Sequence, residues 1–226
     1  MIKIYKEPEK GHPYVIGGDT AGEGSDCFTG QVIDNSTGQQ VAVFKRQYDS
    51  DLYAKQMYCL GTYYNTALIA PEVNYSSYEI EELRKMHYRK LYVRPLPDTY
   101  TGEFKKSYGF KTTGTTRPNV IAGLVKVMRE HPEWICDVDT LNEMLTFVRN
   151  PKKKGRPEAQ NGAHDDLVMG LAIAYYARGQ QRTKVDFHEN TKYGYYTEEM
   201  LKDYMKASPS EKIMLKELWG EPKCRK

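Results

Sequence analysis

Short apolar runs that end on an acid, each far from the others along the chain, limit what this sequence can fold into. Tyr14-Val15-Ile16-Gly17-Gly18 runs into Asp19, and Ala67-Leu68-Ile69-Ala70-Pro71 runs into Glu72. The pair Asp165-Asp166 opens the longer apolar stretch Leu167–Ala174. The first two runs have the length of buried strands and the third that of a buried helix. An acid at the end of a buried strand is costly to hide without a partner. In α/β proteins, strand ends and helix starts collect along one sheet edge, where the chemistry is usually placed. Carboxylates meeting there repel one another unless a cation neutralises them, and hard oxygen donors suit Mg²⁺ or Mn²⁺.

The length of 226 residues allows one large domain with a tail. Net charge is only +3, so attraction to a polyanion has to come from local clusters rather than from the sum. The four cysteines, Cys27, Cys59, Cys136 and Cys224, lack the spacing of a zinc cage or a disulfide framework and point to a reducing compartment. No apolar stretch has membrane-spanning length, and the N-terminus lacks a signal-peptide pattern; a cytosolic protein is expected.

The pattern along the chain is mixed. Residues 1–13 read as a linker-like leading segment. Strands are expected at 14–19, 27–34 and 40–46, with Asn35-Ser36-Thr37-Gly38 as a hairpin turn, so the first three strands run antiparallel. A helix over 51–65 and a strand at 67–72 make a crossover unit. A helix from 74–77 to about Lys90, a small strand at 91–93 and a loop or loose hairpin over 95–118 follow. Helices are expected at 119–131 and 139–144. A strand at 145–149 and an arm at 157–160 flank the basic turn Pro151–Arg156. Residues 165–178 form the last core helix, and 180–226 are a charged, Tyr-rich extension with amphipathic pieces near 198–206 and 211–219.

Taken singly, each acidic motif has an ordinary reading: a solvated Gly-rich turn at Gly18–Asp26, a helix start at Pro71–Asn74, and acids favoured by a helix dipole at Asp165-Asp166. One detail favours Asp166 over Asp165. Asp166, Gly170 and Ala174 share a helical stripe, so small residues below Asp166 permit close approach to the sheet, while Asp165 points about 100° away. A GxxxxGK[ST] loop is absent, which excludes a Walker-type nucleotide site. The phosphotransferases of actin or sugar-kinase type need a second Gly-rich loop and a duplicated domain, and neither is visible.

The order of the three motifs in a strand–strand–strand–helix–strand…helix context resembles the ribonuclease H-like fold: an α/β mixed central sheet flanked by helices. More narrowly, YVIGGDTAGEGSD, APEVN, GFKTTGTTRPNVI, DTLNEMLTFVRN and NGAHDDLVMGLAIAYYAR resemble the nuclease domain of tailed-phage large terminase subunits. The resemblance implies a nuclease domain over 14–180, with an added basic β-hairpin, and leaves 181–226 uncovered. It implies an endonuclease that cuts double-stranded DNA with Mg²⁺ or Mn²⁺ held by Asp19, Glu72 and Asp166. Asp165 is a further ligand, and His164 and Asn74 stand behind. Where relatives carry a further acid, this chain has Met169, so of two metals the second is the weaker. The implied partners are DNA, a terminase ATPase domain, a small terminase subunit and a portal, in host cytoplasm, with neither membrane nor small-molecule substrate. Lys152, Lys153, Lys154 and Arg156 on the hairpin tip, Lys105 and Lys106 in the Thr/Gly loop, and Arg84 and Arg89 are the expected phosphate contacts. A Holliday-junction resolvase or transposase-like nuclease, and a non-catalytic DNA-binding packaging module, are the alternatives.

Overall fold

The computed structural model describes residues 2–20, 27–47, 49–74, 76–88, 90–97, 104–150, 156–160, 164–181, 198–219 and 222. Five strands form the main sheet: β1 (Ile2–Ile4), β2 (Tyr14–Gly18), β3 (Phe28–Asp34), β4 (Gln40–Arg46) and β5 (Leu68–Pro71), in the order β1-β4-β3-β2-β5. β2, β3 and β4 are antiparallel neighbours, whereas β5 lies parallel to β2. A parallel bridge between Ile69 and Leu91 extends this edge. The sheet is therefore mixed and flanked by helices, as expected of a ribonuclease H-like fold.

The period of two along β2 divides two cores. Tyr14 and Ile16 face one cluster with Tyr53, Met57 and Leu60 of α1 (Ser50–Tyr63) and Leu83 of α2 (Tyr78–Lys85). Val15 faces the other, with Leu124 of α3 (Thr116–Glu130) and Val168, Leu171 and Ala172 of α5 (Asp166–Ala177). Coverage on both faces explains why β2 and β5 read as continuous apolar runs rather than alternating ones.

α5 lies closer to the sheet than most side chains would allow. A Cβ on Gly17 would sit 2.3 Å from both Gly170 O and Ala174 N, and one on Gly170 would sit 2.8 Å from Thr29 Oγ1. The Asp166–Gly170–Ala174 stripe is thus the contact line, and it brings the start of α5 down to the ends of β2 and β3.

The remaining elements are the hairpin β6 (Val93–Pro97)/β7 (Phe104–Tyr108), α4 (Val138–Leu145), the hairpin β8 (Phe147–Asn150)/β9 (Arg156–Ala159), and the helices α6 (Glu198–Lys206) and α7 (Pro209–Trp219). Three details differ from expectation. Residues 2–4 pair with β4 as an edge strand, held at its side by Lys3 Nζ on Asp137 (2.9 Å) and Tyr5 Oη on Asp137 (2.6 Å). α2 ends at Lys85 rather than near Lys90, because His87 takes a left-handed backbone (φ 61°). α3 starts at Thr116, since Pro118 falls in its first turn, where a missing N–H costs no hydrogen bond. Among the described residues no helix is long and apolar enough to cross a membrane.

Candidate metal centre

β2 and β5 run parallel with Gly18 opposite Pro71, so the residues that follow, Asp19 and Glu72, emerge side by side. Glu72 N donates to Gly18 O at 2.8 Å, and Thr20 Oγ1 donates to Glu72 O at 3.3 Å, which fixes the two strand ends together. The Asp19 and Glu72 carboxyl groups act directly on one another. From β3, Thr29 bridges to the helix: its hydroxyl accepts from Asp19 N (3.2 Å) and donates to Asp166 O (3.1 Å). Strand ends and helix start are therefore linked through one side chain.

The electrostatics are strained. Burial pushes the Asp19 carboxyl well above the usual carboxylate range, and the interaction with Glu72 and the charges of Glu72, Asp166 and Asp165 push it in the same direction. Glu72 and Asp166 are themselves buried. This setting favours the protonated form of Asp19 unless a cation takes the proton's place. Hard, crowded oxygen donors of this kind fit Mg²⁺ or Mn²⁺. As placed, the acids do not form one closed shell. Asp166 Oδ2 faces Lys45 Nζ at 3.2 Å and accepts from Cys27 N at 3.3 Å, and Asp165 is paired with Arg117. Among the described residues no three His, Cys, Asp or Glu side chains stand close enough to hold an ion together.

Asn74 is bonded to Glu72. Its Nδ2 donates to Glu72 Oε1 at 2.9 Å and its Oδ1 accepts from Thr112 N at 2.9 Å, tying Glu72 to the Thr/Gly loop. His164 is exposed just ahead of α5, and Met169 is in the core. Four residues at the site were not singled out in the sequence: Thr29, Lys45, Arg117 and Glu143. The strand register carries a signal for two of them. Lys45 pairs with Thr29 across β3 and β4, so the hairpin delivers both to the edge where β2 ends. Burial works against the Lys45 ammonium, but Glu143 at 2.5 Å and then Asp166 outweigh it and hold its pKa above the ordinary value.

Of the expected phosphate contacts, Arg84 and Lys106 have described side chains. Arg84 is exposed on α2 and stacks over the Tyr108 ring, 5.0 Å from its centroid, and Lys106 is exposed on β7. Lys90 is buried, which lowers its pKa to about 7, and Arg94 donates to Gly109 O at 3.0 Å. Arg89, Lys152, Lys153 and Lys154 lie outside the described residues, as do the side chains of Lys105 and Arg156 and the turn 21–26.

The fold has solved counterparts. The large terminase nuclease from thermophilic phage G20c superposes with a TM-score of 0.59 at 20% identity, covering 77% of this chain and 87% of that one. The large terminase nuclease domain of Thermus phage P74-26 gives a TM-score of 0.56 at 20% identity, covering 77% and 84%. The G20c nuclease has also been solved with bound magnesium, with bound cobalt and with bound zinc. No protein-family model and no curated protein matches this chain. This chain shares the fold of large terminase nuclease domains.

Proposed function

We propose that this chain is a divalent-cation-dependent endonuclease that cuts double-stranded DNA, with little sequence preference, during viral genome packaging in the host cytoplasm. The observation that carries the reading is the Asp19–Glu72 pair, set side by side at the ends of two parallel strands, with Asp166 tied to the same edge through Thr29. The same fold in solved terminase nucleases supports it, as does divalent metal bound to one of them. Asp19, Glu72 and Asp166 are the proposed ligands, with residues 14–180 as the nuclease domain. Asp165 and Asn74 stand beside them, and Met169 leaves the second of two ions the more weakly held.

Divalent cations bound there would lower the pKa of an attacking water and neutralise the leaving 3′ oxygen of an in-line displacement. Asp19, beside Glu72 and linked through Thr29 to the start of α5, would be a ligand of the cation held there. Glu72 is oriented by Asn74, which fixes which oxygen faces the site. Binding of DNA to the exposed cations is salt-sensitive and independent of sequence. A terminase ATPase domain, a small terminase subunit and a portal complete the proposed assembly.

The test is nicking of supercoiled plasmid in Mg²⁺, Mn²⁺, Ca²⁺ and EDTA, with Asp19→Asn alongside. Cleavage that chelation stops and Asp19→Asn abolishes is the expected result. Cleavage of equal rate in EDTA, or by the variant, removes the metal mechanism. A protein that binds plasmid without cutting it under any of these ions is a packaging module instead.

A further inference from the structure

Glu143 lies on α4, 23 residues before Asp166, yet its carboxylate reaches the first turn of α5. Oε2 accepts from Leu167 N at 2.8 Å and from Val168 N at 3.4 Å, while Oε1 meets Lys45 Nζ at 2.5 Å. The amides at a helix start have no partner within the helix and favour a negative group. One side chain thus grips a helix end and a cation at once. Its own place is set by a buried polar network. Gln40 Oε1 accepts from Cys136 N and Asp137 N just before α4, and Gln40 Nε2 donates to Gln31. Gln31 Nε2 donates to Thr140 on α4 and to Leu167 O on α5.

Lys45 reaches the same place from β4. Its ammonium and Cys27 N both fall on Oδ2 of Asp166. We propose that Lys45 and Glu143 are positioning residues for Asp166: Lys45 holds one carboxylate oxygen so that the other is presented to the site, and Glu143 holds Lys45 back from closing over both. The proposal rests on the nuclease reading above, in which Asp166 is a ligand. The two residues have opposite consequences for a divalent cation. Lys45 carries a like charge beside it. Glu143 draws that charge away.

Lys45→Met therefore removes a competing cation along with the restraint on Asp166. Mn²⁺ binds more tightly than to the parent, and turnover at saturating Mn²⁺ falls. Glu143→Gln keeps a carbonyl acceptor for Leu167 N but frees the ammonium to pair fully with Asp166, so Mn²⁺ binding weakens and turnover falls as well. Losses of about 10–100-fold are usual for residues that orient a metal ligand. Lys45→Arg, which keeps the charge and a longer reach, recovers most of the turnover.

The experiment is calorimetric titration of Mn²⁺ into the full chain without DNA, together with plasmid cleavage across Mn²⁺ concentration and a thermal melt of each variant. Opposite displacement of the two Mn²⁺ dissociation constants, at melting temperatures near the parent's, is the expected outcome. A shared direction, or turnover of both variants within roughly twofold of the parent, overturns the proposal. Should Lys45→Met fail to melt cooperatively, Lys45→Gln takes its place with the same expected signs. An active parent whose Asp19→Asn variant is dead, with both positioning variants unaffected, sinks this inference alone. A parent that neither binds Mn²⁺ nor cleaves sinks the nuclease reading with it.

Discussion

Gly17 is the point at which fold and site depend most directly on one another. Replacing it with Ala puts a Cβ 2.3 Å from Gly170 O and Ala174 N and 2.7 Å from Ala174 Cα. Ordinary contact begins about 1 Å farther out. The obstructing atoms are backbone, so no rotamer change relieves the overlap, and β2 is locked between β3 and β5. Helix α5 must lift from the sheet by about that amount. Overpacking of a core costs about 1–3 kcal/mol, and a backbone-to-backbone clash belongs at the upper end. For a chain of this size each kcal/mol lowers the melting temperature by about 2–4 °C, so Gly17→Ala is expected to lose about 6–12 °C. Lifting α5 also carries Asp166 away from Asp19, and a misplacement of about 1 Å can cost about 100-fold in rate. A scanning calorimetry melt and a plasmid nicking assay measure the two effects. A melting temperature within about 2 °C of the parent, with unchanged nicking, would refute the claim that this close contact sets the site.

Gly123 supplies a control of opposite sign: it lies inside α3 with nothing within 4 Å of a built Cβ, so Gly123→Ala should stabilise by about 1 kcal/mol in the same melt. Asp19→Asn should raise the melting temperature of the metal-free protein at neutral pH while abolishing cleavage. The folded-state pKa of Asp19 is raised, so the stability it contributes is complete below the ordinary carboxylate pKa of about 4 and is lost as pH climbs through the folded value. The gap between variant and parent in EDTA should therefore widen from pH 4 to pH 8, and a flat difference would remove the crowding argument. Added Mn²⁺ should narrow that gap by stabilising the parent through binding to the folded state alone. Nicking at fixed Mn²⁺ should decline as NaCl rises, because phosphate contacts release counterions; a rate indifferent to salt would exclude the exposed cations.

What could be read along the chain was whatever depends on local pattern. The apolar runs before Asp19 and Glu72 announce strand ends, and the spacing of Asp166, Gly170 and Ala174 announces a helix face made for close contact. Both are present, because coverage of β2 on two faces leaves no alternative to a continuous apolar run. Contacts between distant segments left no such mark. Glu143 reads as an ordinary helix acid, since its partners Lys45 and Leu167 lie 98 and 24 residues away. On charge alone Lys90 and Arg94 pass for surface cations near Arg84, yet folding sends Lys90 into the interior and Arg94 onto a backbone carbonyl. Strand β1 is three residues long, too short for alternation to register, and is held by pairing and by the Lys3–Asp137 ion pair instead.

The acids at this sheet edge oppose the fold that assembles them. Asp19 is crowded by Glu72, Asp166 and Asp165, and the nearby compensation in the described residues is Lys45 and Arg117, which are bound to Asp166 and Asp165 rather than to Asp19. The Asp19–Glu72 pair is thus the least neutralised part of the site. A crowded carboxyl pair of this kind is destabilising at neutral pH, and its presence at the meeting point of β2, β5 and α5 needs a reason other than stability. Thr29 and the glycines of the contact line act in the same direction, because they hold the acids near one another when a looser packing would let them separate. Under the proposed reading the packing is arranged for the charge of a divalent cation, and substitutions that neutralise an acid without disturbing the packing, such as Asp19→Asn, should stabilise the chain as they disable it.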